Sequence, residues 1–163
     1  MANTFYLIQT ITVGAGGTTS IDFTNIPQTY TDLKMVFSLR NSGTDLYISL
    51  NGSTTGFGQR YIQGDGGSTT ATSVARLVGV TNYASQTASV FGSGELYFPN
   101  YTSSANKSFG SDNVTESNSS TSWLVLSAHS FTTSSPITQI TLTGNGTGFV
   151  QYSSASLYGI SKN

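Results

Sequence analysis

The chain of 163 residues has no cysteine, which excludes disulfides and thiolate metal sites and leaves the redox compartment open. Charge is scarce as well. Only 8% of the residues are charged, against about 25% in an average soluble domain. Six Lys and Arg residues against seven Asp and Glu leave a formal charge of −1. The bases are dispersed, so there is no field with which to collect nucleic acid. No apolar run approaches the roughly 20 residues of a bilayer-spanning helix. The start, Met1-Ala2-Asn3-Thr4, has neither the basic residues nor the apolar stretch of a signal peptide. We expect no nucleic-acid partner, no membrane contact and synthesis in the cytosol. Glu, Lys, Ala and Leu are too few to favour helices.

What is abundant suits a β-sheet. Ser, Thr, Gly and Asn crowd a sequence that is 36% hydrophobic and 12% aromatic. Thr and aromatic residues fit pleated strands, and Gly and Asn fit turns. Disorder goes with low hydrophobicity and high net charge, and neither holds here. A chain this long buries roughly 70% of the surface its unfolded form exposes, so we expect a single domain, 1–163, that folds unaided.

The clearest pattern lies between Asp32 and Asn51. Leu33, Met35, Phe37 and Leu39 share one face, and Lys34, Ser38 and Arg40 the other. After Asn41-Ser42-Gly43-Thr44 the alternation resumes, with Leu46, Ile48 and Leu50 inward and Tyr47 outward. A period of two with a turn-forming break predicts a β-hairpin, one face of which needs a second sheet to cover it. Elsewhere the patterns predict strands over Thr4–Val13 (Phe5, Leu7, Ile11 and Val13 inward), Thr18–Phe23, Phe57–Gln63, Val74–Val80, Val90–Phe98, Ile137–Thr143 and Phe149–Ile160. Asn106–Val114 reads as extended, and 116–122 as a polar loop. The apolar run Trp123–Ala128 predicts a central strand buried on both faces. Gly14–Gly17 and Gly64–Gly67 read as hairpin tips. Some eight to ten strands predict an all-β, two-sheet antiparallel sandwich, jelly-roll-like, with an immunoglobulin-like sandwich as the alternative.

Residues with chemistry are sparse. His129 is the only histidine and, at the end of the apolar run, reads as structural. No Gly-X-Ser-X-Gly elbow is present, and no second histidine or cysteine completes a metal or nucleophile site. The acids stand singly, without calcium-loop spacing, although a glycosidase-type pair assembled in space is compatible with such a scatter. The glycine-rich turns lack phosphate-loop spacing. Neither catalytic residues nor cofactor or metal ligands are expected. Among the aromatics, Tyr83, Tyr97 and Tyr101 form the candidate binding surface, since a rigid ring with one polar end suits both sugar stacking and protein contact.

Several segments together carry a resemblance. These are Val13-Gly14-Ala15-Gly16-Gly17, the run Phe23 to Leu33 (FTNIPQTYTDL), Asn51-Gly52-Ser53 with Tyr61, and the closing run Phe149 to Ile160 (FVQYSSASLYGI). Across nearly its whole length the chain resembles small structural virion proteins of tailed bacteriophages, of head-decoration or tail-fibre type. The matching motifs are turn and strand signatures without catalytic residues. The resemblance implies a virion protein made in the host cytoplasm. Its first implied role is capsid decoration (cement), with the major capsid protein and copies of itself, as a homotrimer, for partners. Its second is a tail or fibre component that binds host glycan. A glycan-active enzyme is the rival from another class.

Overall fold

The computed structural model describes residues 4–116 and 122–161, and no helix occurs among them. Period-two segments form β1 (Phe5–Thr12), β2 (Ser20–Phe23), β3 (Asp32–Leu39), β4 (Asp45–Leu50), β5 (Phe57–Gly64) and β6 (Thr69–Thr72). They continue with β7 (Leu77–Val80), β8 (Gly92–Phe98), β9 (Lys107–Glu116), β10 (Ser122–Phe131), β11 (Ile140–Gly144) and β12 (Ser154–Ile160). Two antiparallel sheets result, with strand orders β1-β12-β3-β8-β9-β10-β5-β6 and β2-β11-β4-β7. The fold is the expected all-β sandwich, and β7 falls within the strand expected over Val74–Val80; β6 is not among those expected, because it is too short and mixed to show a period. The polar loop predicted over 116–122 lies, apart from its end residues, outside the described residues.

Eight of the strands pair as one long hairpin folded back on itself: β1 with β12, β2 with β11, β3 with β8, and β4 with β7. Rolling that hairpin up adds the pairs β12–β3 and β11–β4, which is the winding of a jelly roll. Two inserted pieces, β5–β6 and β9–β10, hydrogen-bond to each other and to β8 and so widen only the first sheet.

This winding corrects the expectation of a hairpin at 32–51. β3 and β4 belong to different sheets, and their apolar faces cover each other across the sandwich instead of lying side by side. The segment between them crosses from sheet to sheet. There Asn41 N–H donates to Asn82 O at 2.9 Å, and the Asn145 side chain accepts from Asp45 N–H at 3.0 Å. Gly14–Gly17 is likewise a crossing, since β1 and β2 do not pair, whereas the turn after Gly64 does close a hairpin, β5–β6. Arg40, expected outside, is buried. On β1 a bulge between Leu7 and Gln9 inserts Ile8 and reverses the faces. Phe5 and Leu7 therefore stand in solvent while Ile8 and Ile11 pack on the core.

The core is built from Leu33, Met35, Phe37 and Leu39 of β3, Leu96 and Phe98 of β8, and Ala155 and Leu157 of β12. Facing them are Ile21 and Phe23 of β2, Leu46, Ile48 and Leu50 of β4, and Ile140 and Leu142 of β11. Farther along the large sheet the inner face turns polar, because the small sheet ends at β7. The backbone of β7 meets side chains there: Gln59 Nε2 donates to Leu77 O at 3.1 Å, Ser111 Oγ to Val78 O at 2.7 Å, and Asn113 Nδ2 to Val80 O. His129 belongs to this layer. Its ring stacks on Phe109 at 4.6 Å, Nε2 lies 2.8 Å from Ser127 Oγ, and Nδ1 has no hydrogen-bond partner among the described residues.

Two predictions follow from this packing. Phe37→Ser removes a core ring and costs about 3–5 kcal/mol, whereas Tyr47→Ser costs under about 2 kcal/mol. Tyr47 is half-buried, with Arg76 5.5 Å from its ring centre and its hydroxyl on Asp45 Oδ2 at 3.0 Å. Chemical denaturation yielding equal losses would contradict the assignment of faces. The other concerns pH. Burial pushes the His129 imidazole down to about 4, against roughly 6.5 in the unfolded chain. The unfolded chain thus binds the extra proton first, and stability is full above pH 6.5 and falls as the pH drops towards 4, by about 3 kcal/mol in all. Urea midpoints at the two ends of that window should converge in His129→Phe; an unchanged slope would remove His129 as the cause.

Candidate functional site

Along the middle of the inserted strands the polarity is opposite to the rest of the sandwich, with Gln59, Ser111, Asn113, Ser127 and His129 inside. In β10 the inward side chains are Val125, Ser127, His129 and Phe131, all buried, and Leu124 and Leu126 point outward, 55% and 57% exposed. The continuous apolar run is therefore a central strand, as expected, but covered on one face only. Register places the outward residues in rows. One row reads Ala71, Ile62, Leu126, Asp112, Glu95 and Val36 from β6 to β3. The row on one side reads Arg60, Ala128, Gly110, Tyr97 and Lys34, and the row on the other Gly64, Leu124, Val114 and Ser93. Ile62, Leu124, Leu126 and Val114 thus adjoin as one apolar patch. A shallow depression of about 640 Å³ lies over it, floored by Ile62, Ala71, Leu126 and Ala128 and flanked by Arg60 and Thr72. Phe5 and Leu7 stand out from the same face at its far edge. Among the described residues, the exposed large hydrophobic ones that lie elsewhere are Tyr6, Val74 and Tyr152.

Charges on this face are few and ordered. Lys34 Nζ lies 2.7 Å from Glu95 Oε2, the one ion pair among the described residues. Asp112 sits directly across from Glu95. Partial burial, and then the Glu95 charge, raise its carboxyl above the usual range, with Lys34 acting the other way. Arg60 is on the opposite flank of Leu126, where its guanidinium donates to Gln59 O at 2.7 Å and Ser73 Oγ at 3.1 Å and meets no carboxylate among the described residues.

Two of the scattered acids therefore do meet in space. A glycosidase needs its carboxyl pair to flank a bond held in a cleft. Glu95 and Asp112 lie on an open face over a hollow of about 180 Å³, and Glu95 is already engaged by Lys34. The Ser127–His129 contact is buried, has no carboxylate on Nδ1 and holds an imidazole of lowered basicity, so it is a link in the core rather than an activated nucleophile. No cluster of three or more His, Cys, Asp or Glu capable of holding a metal ion occurs among the described residues.

The three tyrosines do not make one platform. Tyr97 is on the outer face, 41% exposed, and donates its hydroxyl to Asp32 Oδ2 at 2.8 Å, a bond that raises its pKa, with burial adding to the effect. Tyr101 is fully buried, with its hydroxyl on Pro27 O. Alternation fails to place it because Asn100 takes a left-handed conformation (φ 48°) just past the end of β8 and turns the chain inward. Tyr83 is half-buried in the connection from β7 to β8, its N–H held by Gln86 Oε1 at 3.0 Å. The surface residues that sequence reasoning missed are Ile62, Leu124, Leu126 and Val114. A signal was present, since Val125, Ser127, His129 and Phe131 alternate with Leu124 and Leu126, but apolar character argued for the wrong side. Searches against protein families, curated proteins and solved structures find no match to this chain.

Proposed function

We propose that the protein is a structural component of a bacteriophage virion, a decoration protein that seats on the capsid shell in many copies and stabilises it. The observation that carries this reading is the apolar outer face of the large sheet, presented by a body that is otherwise hydroxyl- and amide-covered. Exposed apolar patches of this kind mark interaction surfaces. The scarcity of charge and the open, shallow form of every hollow described above suit a protein that works by contact, and repetition on a particle multiplies weak contacts by avidity. Its partners in this reading are the major capsid protein and copies of itself, as a trimer at local three-fold positions of the shell. The virion is its location. A tail or fibre role is the second reading, favoured by the exposed ring of Tyr97 as a stacking surface for host glycan.

Binding decides between them. Purified protein should add to shells that lack it and raise their resistance to heat or osmotic shock, with little dependence on salt because few charges are involved. Protein that ignores such shells but binds host-surface glycan, with binding abolished in Tyr97→Ala, is a fibre component instead.

A further inference from the structure

The patch on the inserted strands has a symmetry of its own. Arg60 lies one strand from β10 towards β5 and level with Ala128; Asp112 lies one strand from β10 towards β9 and level with Leu126. The two unpaired, opposite charges are thus equidistant from the point where β10 passes Ser127. We propose that the outer face of β9, β10, β5 and β6 docks onto the same face of a second copy of this chain, about a two-fold axis that crosses β10 at Ser127.

That axis lies in the plane between the two sheets, perpendicular to the line joining Arg60 and Asp112. It sets Arg60 of each copy over Asp112 of the other, so that one contact satisfies both charges twice. It sets Leu124 over Ala71 of the second copy, and it brings Leu126 and Ile62 of both copies together along the axis. Isologous contacts must be self-complementary in this manner. The inverted polarity of the insertion has the same explanation, since its apolar side chains are covered by the second copy while its inner face is occupied by the edge of β7. Asp112 points the same way: its carboxyl is already partly desolvated and opposed by Glu95, so a guanidinium supplied from outside relieves it.

The self-contact deepens the reading of this face as an assembly surface and does not require the shell. It is compatible with a trimer at a three-fold site, because a two-fold contact joins copies from neighbouring sites. Sedimentation velocity from about 1 to about 200 μM at physiological salt tests it, a range that brackets micromolar self-association. The wild type should show a reversible dimer, and Leu126→Lys a monomer with unchanged far-ultraviolet circular dichroism. Arg60→Asp and Asp112→Arg should each weaken association about tenfold or more, and combining the two should restore it to within about threefold. Restoration by the double exchange is the outcome that a merely structural role would not give. A monomer throughout, association indifferent to Leu126→Lys, or a double exchange no tighter than its weaker single overturns the self-contact. Shell binding by such a monomer would leave the decoration role standing; a dimer with these responses that ignores shells would end that role and keep the contact.

Discussion

Four strands cover eight, and most of what is particular to this molecule comes from that mismatch. The rolled hairpin supplies matched layers, β1-β12-β3-β8 over β2-β11-β4-β7, and their inner faces close on an apolar core. The strands inserted after β4 and β8 extend only one layer. Beyond the edge of β7 there is no opposing sheet to offer side chains, only a strand margin with backbone carbonyls. A carbonyl removed from water requires a donor, and Gln59, Ser111 and Asn113 provide it. Where the extension meets that margin its buried side is polar because its partner is backbone, and Ile62, Val114, Leu124 and Leu126 stand on the outside, while Phe57, Phe109 and Phe131 still pack on the core.

Close fit at that margin depends on small residues. A Cβ at Gly79 or Gly94 would collide with Asn113, so glycine at both positions lets β7 and β8 approach the amide that ties them to β9. Arg40 does similar work at the end of β3. Its buried guanidinium meets no carboxylate among the described residues and donates to Thr87 O at 2.7 Å, Val90 O at 3.0 Å and Gln86 O at 3.2 Å. The planar fork of an arginine suits three carbonyls on one connection, and the β7–β8 segment is pinned by it. In a chain so poor in charge, the few ionic groups serve as hydrogen-bond hubs or mark the outer face.

The outer face of the large sheet is shaped by the same asymmetry. His129 is sealed in the polar layer, and Asp112 and Tyr97 stand on an open sheet face. That face carries apolar side chains in adjoining rows, with Arg60 and Asp112 on opposite flanks of Leu126. The virion reading and the two-fold self-contact are separate statements about that surface, one about where the protein works and the other about what covers it.

By itself the sequence determined the strand class and, along β2, β3 and β4, which apolar side chains face the core: composition disfavours helices, and a period of two admits one inward face. It did not determine pairing. Leu33 to Leu39 and Leu46 to Leu50 alternate identically whether their strands lie side by side or face to face, because alternation encodes an inward side and carries no information about the neighbour. Only the tertiary winding placed β3 and β4 in opposite sheets, turned Tyr101 into the core and let a bulge at Ile8 expose Leu7. Nor was the patch legible, since Leu124 and Leu126 are marked by their chemistry for an interior. On the inner side the edge of β7, a margin of backbone, is met by the polar Gln59, Ser111 and Asn113, and the alternation that turns them inward turns Leu124 and Leu126 outward.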